Sequence, residues 1–142
     1  MMTDNSNQAI PKIIDFGLAK MIGPNEKSRD PFGTLGYAAP EVLRKQPYSY
    51  SCDVWSLGCV TYAMLCGALP FDSKTGDDII QLTTRGKLYF DLPIWKTLSS
   101  DCIEICTLML EKNPQKRISL NEVLSHPWFS EVESSNQKNE RL

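Results

Sequence analysis

Between Val54 and Cys66 the only clearly polar side chains are Ser56 and Thr61, and the wider stretch Ser51 to Phe71 carries one charge, Asp53. Apolar residues therefore fall around most of the circumference of a helix rather than along one stripe, the pattern of a helix enclosed on all sides. A membrane span needs about 20 apolar residues, whereas this run is shorter and is broken by Gly58, Gly67 and Pro70. The pattern predicts a buried helix, begun by Ser51 or Asp53 as N-cap and ended by Gly67 with Pro70 beyond.

The elements on either side are shorter. Pro11 to Ile14 reads as a β-branched strand closed by Asp15-Phe16-Gly17, and with the polar turn of residues 3–8 it predicts a hairpin. Leu18 to Tyr37 holds no durable period, and a loop of about twenty residues within a compact domain is usually functional. Pro40 at a first helical turn predicts a short helix before Pro47. Asp77 or Asp78 is placed to cap a helix carrying Ile79, Ile80 and Leu82 that stops near Gly86, and Leu92 to Trp95 reads as an apolar, proline-set connection. From Ser99 a second strong helix has Cys102, Ile103, Cys106, Met109 and Leu110 on one face, against Glu104, Thr107 and Glu111, and Asn113-Pro114 closes it. Ser119 with Glu122 three residues on is a capping box, and His126-Pro127-Trp128-Phe129 forms an apolar clasp. Residues 130–142 have almost nothing to bury and read as a disordered polar tail.

Composition changes this picture little. Fifteen basic and seventeen acidic residues within 142 leave bulk charge favouring neither a nucleic acid nor an anionic membrane as partner. No signal-peptide or transit pattern is visible, so the expectation is a cytoplasmic chain. The five cysteines contain no CxxC pair; Cys52, Cys59 and Cys66 share one helix face, as do Cys102 and Cys106, and they read as reduced, small apolar core residues.

Order and spacing carry the chemistry. Asp15-Phe16-Gly17 follows a short strand and precedes the glutamate of Ala39-Pro40-Glu41 by 26 residues, the DFG to APE interval of a protein kinase. GTLGYAAPE (Gly33 to Glu41), DVWSLG (Asp53 to Gly58), Asn113-Pro114 with Arg117, and HPWF (His126 to Phe129) follow in kinase order. Over Met1 to Phe129 the chain resembles the C-terminal lobe of a eukaryotic Ser/Thr protein kinase, most like the calcium/calmodulin-dependent and calcium-dependent group. The expected fold is mainly α with a small β-hairpin, a partial kinase domain over residues 1–129 with an activation segment at 15–41.

The resemblance implies roles at matching positions. Asp15, with Phe16 and Gly17, resembles the element that contacts ATP through magnesium, Asp15 being the ligand, because a hard cation bridging phosphates needs carboxylate oxygen. Thr34 resembles the threonine that touches the catalytic loop and favours Ser/Thr specificity. Pro31, Leu35 and Ala38 would line the pocket for the residue after the phosphorylated one, with Leu35 where the family often has proline. Asp30 stands where many kinases carry an activating phosphothreonine, as a fixed carboxylate of lower charge, and Ser28 is a candidate phosphorylation site. Glu41 and Arg117 resemble the buried pair that ties the activation segment to the helical body. Asp53 is expected to accept hydrogen bonds from the catalytic loop, and without one to be an uncompensated acceptor unless water reaches it. His126, the sole histidine, reads as packing and capping rather than as a base.

The 142 residues contain no Gly-rich loop, no VAIK-type lysine and no HRDxxxxN run. The resemblance thus implies a partial kinase that begins in mid-domain, inactive alone, with ATP and magnesium as cofactors, a protein Ser/Thr substrate and a missing N-terminal kinase portion as partners. A non-catalytic docking module is the alternative.

Overall fold

The computed structural model describes residues 3, 9–23 and 25–129. The order of elements is α1 (Pro40–Leu43), α2 (Ser51–Cys66), α3 (Gly76–Arg85), a 3-10 helix (Pro93–Thr97), α4 (Ser100–Met109) and α5 (Leu120–Leu124). Among the described residues there is no sheet, and Ser28 and Tyr48 form an isolated antiparallel bridge. The expected hairpin falls partly outside the described residues. In the part within them, Thr3 and Ile10 face each other, the Thr3 N–H donating to the Ile10 carbonyl at 3.1 Å, and Ala9 to Ile14 forms no extended strand. The tail, residues 130–142, also lies outside them.

α2 forms where its apolar run predicts, but neither Ser51 nor Asp53 caps it. The N-cap is Tyr50, in helical conformation and without a side-chain bond, and Asp53 instead lies in the first turn, where a carboxylate favours the positive end of the helix dipole. Gly67 closes the helix at φ 76°, a left-handed cap that a Cβ would oppose. The enclosure of α2 is only partial. Val54, Trp55, Gly58, Cys59 and Tyr62 are buried, whereas Leu57, Val60 and Met64 are exposed. Apolarity around the circumference showed that the helix could be enclosed; the described neighbours cover one side.

That side carries the core. Trp55 stacks on Phe71 with centroids 5.7 Å apart, and Trp95 meets Tyr62 at 4.7 Å and Phe90 edge-on at 4.8 Å. The connection that carries Trp95 is a full 3-10 helix with Pro93 at its start, not simply an extended link. α4 lies across α2 at Gly58, where an added Cβ would stand 2.9 Å from the Met109 Cβ. Its buried residues are Cys102, Ile105, Cys106 and Met109; Ile105, absent from the predicted face, is fully buried while Ile103 is half-buried. All five cysteines are free, and burial pushes the thiols of Cys52, Cys59 and Cys106 up to about 12, as inert core thiols require.

The caps show how local chemistry sets each boundary. Ser99 accepts from Cys102 N–H at the start of α4. The Ser119 and Glu122 box closes in both directions. At α3 the cap is Thr75, not an aspartate: its hydroxyl accepts from Asp78 N–H and donates to the Asp78 carboxylate at 2.7 Å. His126 is buried, its Nδ1 accepting from Trp128 N–H at 3.3 Å, which is a packing and capping role.

Candidate functional site

The segment from Asp15 to Glu41 lies along the N-terminal end of α2, and the two enclose a cleft of about 630 Å³. Asp15 opens it at φ 63°, a left-handed conformation that Asp tolerates better than most residues. The turn is held by Gly17 N–H donating to Asp15 Oδ1 at 3.3 Å, so the carboxylate folds over its own loop and remains exposed. Phe16, Thr34, Ala38, Asp53 and Ser56 line the same cleft. The adjacent Asp15 and Phe16 are thus brought to one cleft with Thr34 and Asp53 from two other parts of the sequence.

Asp53 is exposed and takes the Cys52 thiol at 3.7 Å. Water reaches its carboxylate, so the penalty expected of an uncompensated acceptor does not arise. Pro31 and Leu35 do not line the cleft that Ala38 lines. Leu35 turns to α3 instead, its Cδ1 3.1 Å from where a Cβ on Gly76 would stand.

Three attachments hold the segment to the helical body. Nearest its middle, the Ser28 and Tyr48 backbones exchange two hydrogen bonds of 2.9 Å. Ser28, at 3% exposure, is among the most buried polar residues, and its hydroxyl donates to Asp30 Oδ2 at 2.9 Å. Lys20 Nζ reaches the same oxygen at 3.1 Å, and Tyr48 OH donates to the Asp30 carbonyl at 2.7 Å. The Lys20 hydrogen bond, then that of Ser28, holds the Asp30 carboxyl below its ordinary range. Farther along, Ser56 Oγ donates to the Tyr37 carbonyl at 3.0 Å, pinning the segment to α2.

The third attachment is the Glu41 and Arg117 pair. Arg117 Nη1 and Nη2 donate to Glu41 Oε1 and Oε2 at 2.7 and 2.9 Å, with side chains 0% and 2% exposed. A buried pair is sound only if its remaining donors are met. Here Nη1 also reaches the Ser51 carbonyl at 2.8 Å, Nε reaches that of Glu111 at 2.9 Å, and the guanidinium lies 5.2 Å from the Trp55 ring centroid. Lys20, Tyr48 and Ser56 escaped the sequence reading, since lone polar residues in aperiodic loops give no signal until the fold supplies their partners.

A family model, protein kinase domain, matches residues 1–129. The chain belongs to the protein kinase family. Among curated proteins it is 37% identical over 131 residues to CDPK-related kinase 5 of Arabidopsis thaliana, an alignment covering 92% of this chain and 22% of that protein. With CDPK-related kinase 8 of the same plant it shares 38% over 129 residues, 91% of this chain and 21% of the other. The resemblance to the calcium-dependent group of Ser/Thr kinases holds, and the chain spans about a fifth of the length of these relatives.

Kinase-family membership implies use of magnesium and ATP. No group of three His, Cys, Asp or Glu side chains among the described residues comes together as a metal site. Magnesium in phosphoryl-transfer sites takes only one or two carboxylates, the rest being phosphate oxygens and water, and the exposed Asp15 at the mouth of the cleft fits as one of them. No helix among the described residues is long and apolar enough to cross a membrane.

Proposed function

We propose that this kinase-family chain is the substrate-side helical part of a Ser/Thr protein kinase: residues 1–129 form its C-terminal lobe, residues 15–41 its activation segment and residues 130–142 a polar tail. The reaction of the whole domain is ATP-dependent phosphoryl transfer to Ser or Thr of a cytoplasmic protein. The carrying observation is the convergence of Asp15, Phe16, Thr34 and Asp53 on one cleft, beside a segment locked down at Glu41 and Arg117.

In this reading Asp15 holds magnesium, and the ion when bound neutralises phosphate charge. Thr34 and Asp53 support the loop that carries the catalytic base, while Ala38, on the cleft, faces the substrate. Asp30 holds the segment permanently in the arrangement that phosphorylation produces elsewhere in the family. Positioning and charge neutralisation provide nearly all the rate in this chemistry. The 142 residues hold no HRD base, Gly-rich loop or VAIK lysine, so this chain alone does not catalyse.

The test is a kinase assay with Mg-ATP and a Ser/Thr peptide. The purified chain gives no phosphopeptide, and adding a kinase portion bearing the Gly-rich and HRD loops restores it, unless Asp15 is changed to Asn. Phosphorylation by the chain alone would overturn the inactivity. A second reading, a docking module, is favoured by the exposed Leu57, Val60 and Met64. Stoichiometric capture of one defined partner by folded monomer, with no rescue of catalysis, would establish that reading instead.

A further inference from the structure

The C-terminal end of α3 is capped in an unusual way. A helix leaves its last carbonyls without intrahelical partners, and a left-handed glycine commonly supplies them. Gly86, which follows α3, is extended instead, at φ −65° and ψ 161°. Its N–H still donates to the Leu82 carbonyl at 2.8 Å, and two cations from distant parts of the chain reach the carbonyls of the last turn. Lys112 Nζ donates to the Thr83 carbonyl at 2.6 Å and the Leu82 carbonyl at 3.2 Å, and Arg44 Nη2 donates to the Thr84 carbonyl at 2.6 Å. The Lys112 ammonium also stands 4.0 Å over the Phe71 ring, a cation–π contact that adds to its two carbonyl acceptors.

Each cation is tied to one half of the buried ion pair. Arg44 closes α1, three residues after Glu41, on a helix only four residues long, so the two move as one turn. Lys112 follows Glu111, whose carbonyl accepts the Arg117 Nε. The pair therefore joins the two chain segments that carry the cations on α3.

We propose that Arg44 and Lys112 form a clamp that couples the placement of α3 to the Glu41 and Arg117 pair at the end of the activation segment. With the pair intact, both cations meet the last turn of α3. When the pair opens, their spacing is lost and the last turn of α3 is released. The coupling is reciprocal: a displacement of α3 is felt at α1.

Amide hydrogen exchange on the full chain tests this, read separately in α1, α3 and α4. The double variant R44Q/K112Q is expected to speed exchange at least tenfold in the last turn of α3 and in α1, leaving α4 unchanged, and R44K/K112R is expected to restore protection. E41Q is expected to release the last turn of α3 in the same way. Unchanged α3 exchange in R44Q/K112Q, or release of α3 without any effect on α1, would overturn the clamp. An E41Q protein that folds but exchanges faster by the same factor in every helix would overturn the coupling. If E41Q does not fold, the reciprocal effect of R44Q/K112Q on α1 decides the matter alone.

Discussion

Glu41 is the residue at which one substitution does most. Its carboxylate neutralises a guanidinium that has no access to water, and removing one partner of a buried pair costs about 3–5 kcal/mol. Glu41→Ala is expected to lose stability in that range by urea denaturation. Glu41→Gln should lose less, because the amide oxygen still accepts one hydrogen bond, although the second bond and the neutralising charge are lost and the pair loosens. The exposed pair of Lys20 and Asp30 behaves differently. Asp30 is depressed below 3.8 by Lys20 first and Ser28 second, so its contribution is complete above that pH and is lost as pH falls through its folded pKa. Lys20 is raised above 10.5 by the same contact, so its contribution is complete below 10.5 and is lost only as pH rises further. Asp30 should titrate by carboxyl NMR below the ordinary Asp value, and Lys20→Met should move it upward. An unshifted Asp30 in the parent chain would refute the pairing in solution.

At the scale of elements, the crossing of α2 and α4 depends on Gly58. An alanine there would put its Cβ 2.9 Å from Met109 Cβ and 3.1 Å from Leu110, and overpacking of this kind costs about 1–3 kcal/mol. Gly58→Ala is therefore expected to lower the melting temperature, even though alanine is the better helix former. Ser119→Ala removes the hydroxyl half of the α5 capping box and leaves the Ser119 backbone N–H on the Glu122 carboxylate; it should cost about 1 kcal/mol by the same melting experiment. The two substitutions differ in how far the sequence announces them. Ser119 and Glu122 are partners in one local motif, legible from their spacing. Gly58 looks like a flaw in an apolar run until α4 is laid across it.

For the whole molecule, the uncovered side of α2 dominates. Leu57, Val60 and Met64 lie on one face, and Met64 is 82% exposed, an apolar patch of the kind that draws proteins together. Changing all three to Gln is expected to suppress concentration-dependent light scattering while leaving the unfolding free energy from urea denaturation within about 0.5 kcal/mol per site, as for surface positions without partners. A large loss of stability would show that the face is covered in solution.

Local sequence determined the start of α4 at Ser99, the α5 box, the end of α2 at Gly67 and the kinase order of Asp15, Glu41, Asp53 and Arg117, because capping, left-handed turns and motif spacing act within a few residues or read directly as order. Tertiary structure decided which side of α2 is buried and why α3 is capped by Thr75 rather than by an aspartate. It also decided that Leu35 turns to Gly76 and away from the cleft, and that Ser28 is buried on Tyr48. These outcomes depend on which distant groups arrive at a given surface, and an apolar or hydrogen-bonding side chain carries no mark of the partner that will meet it.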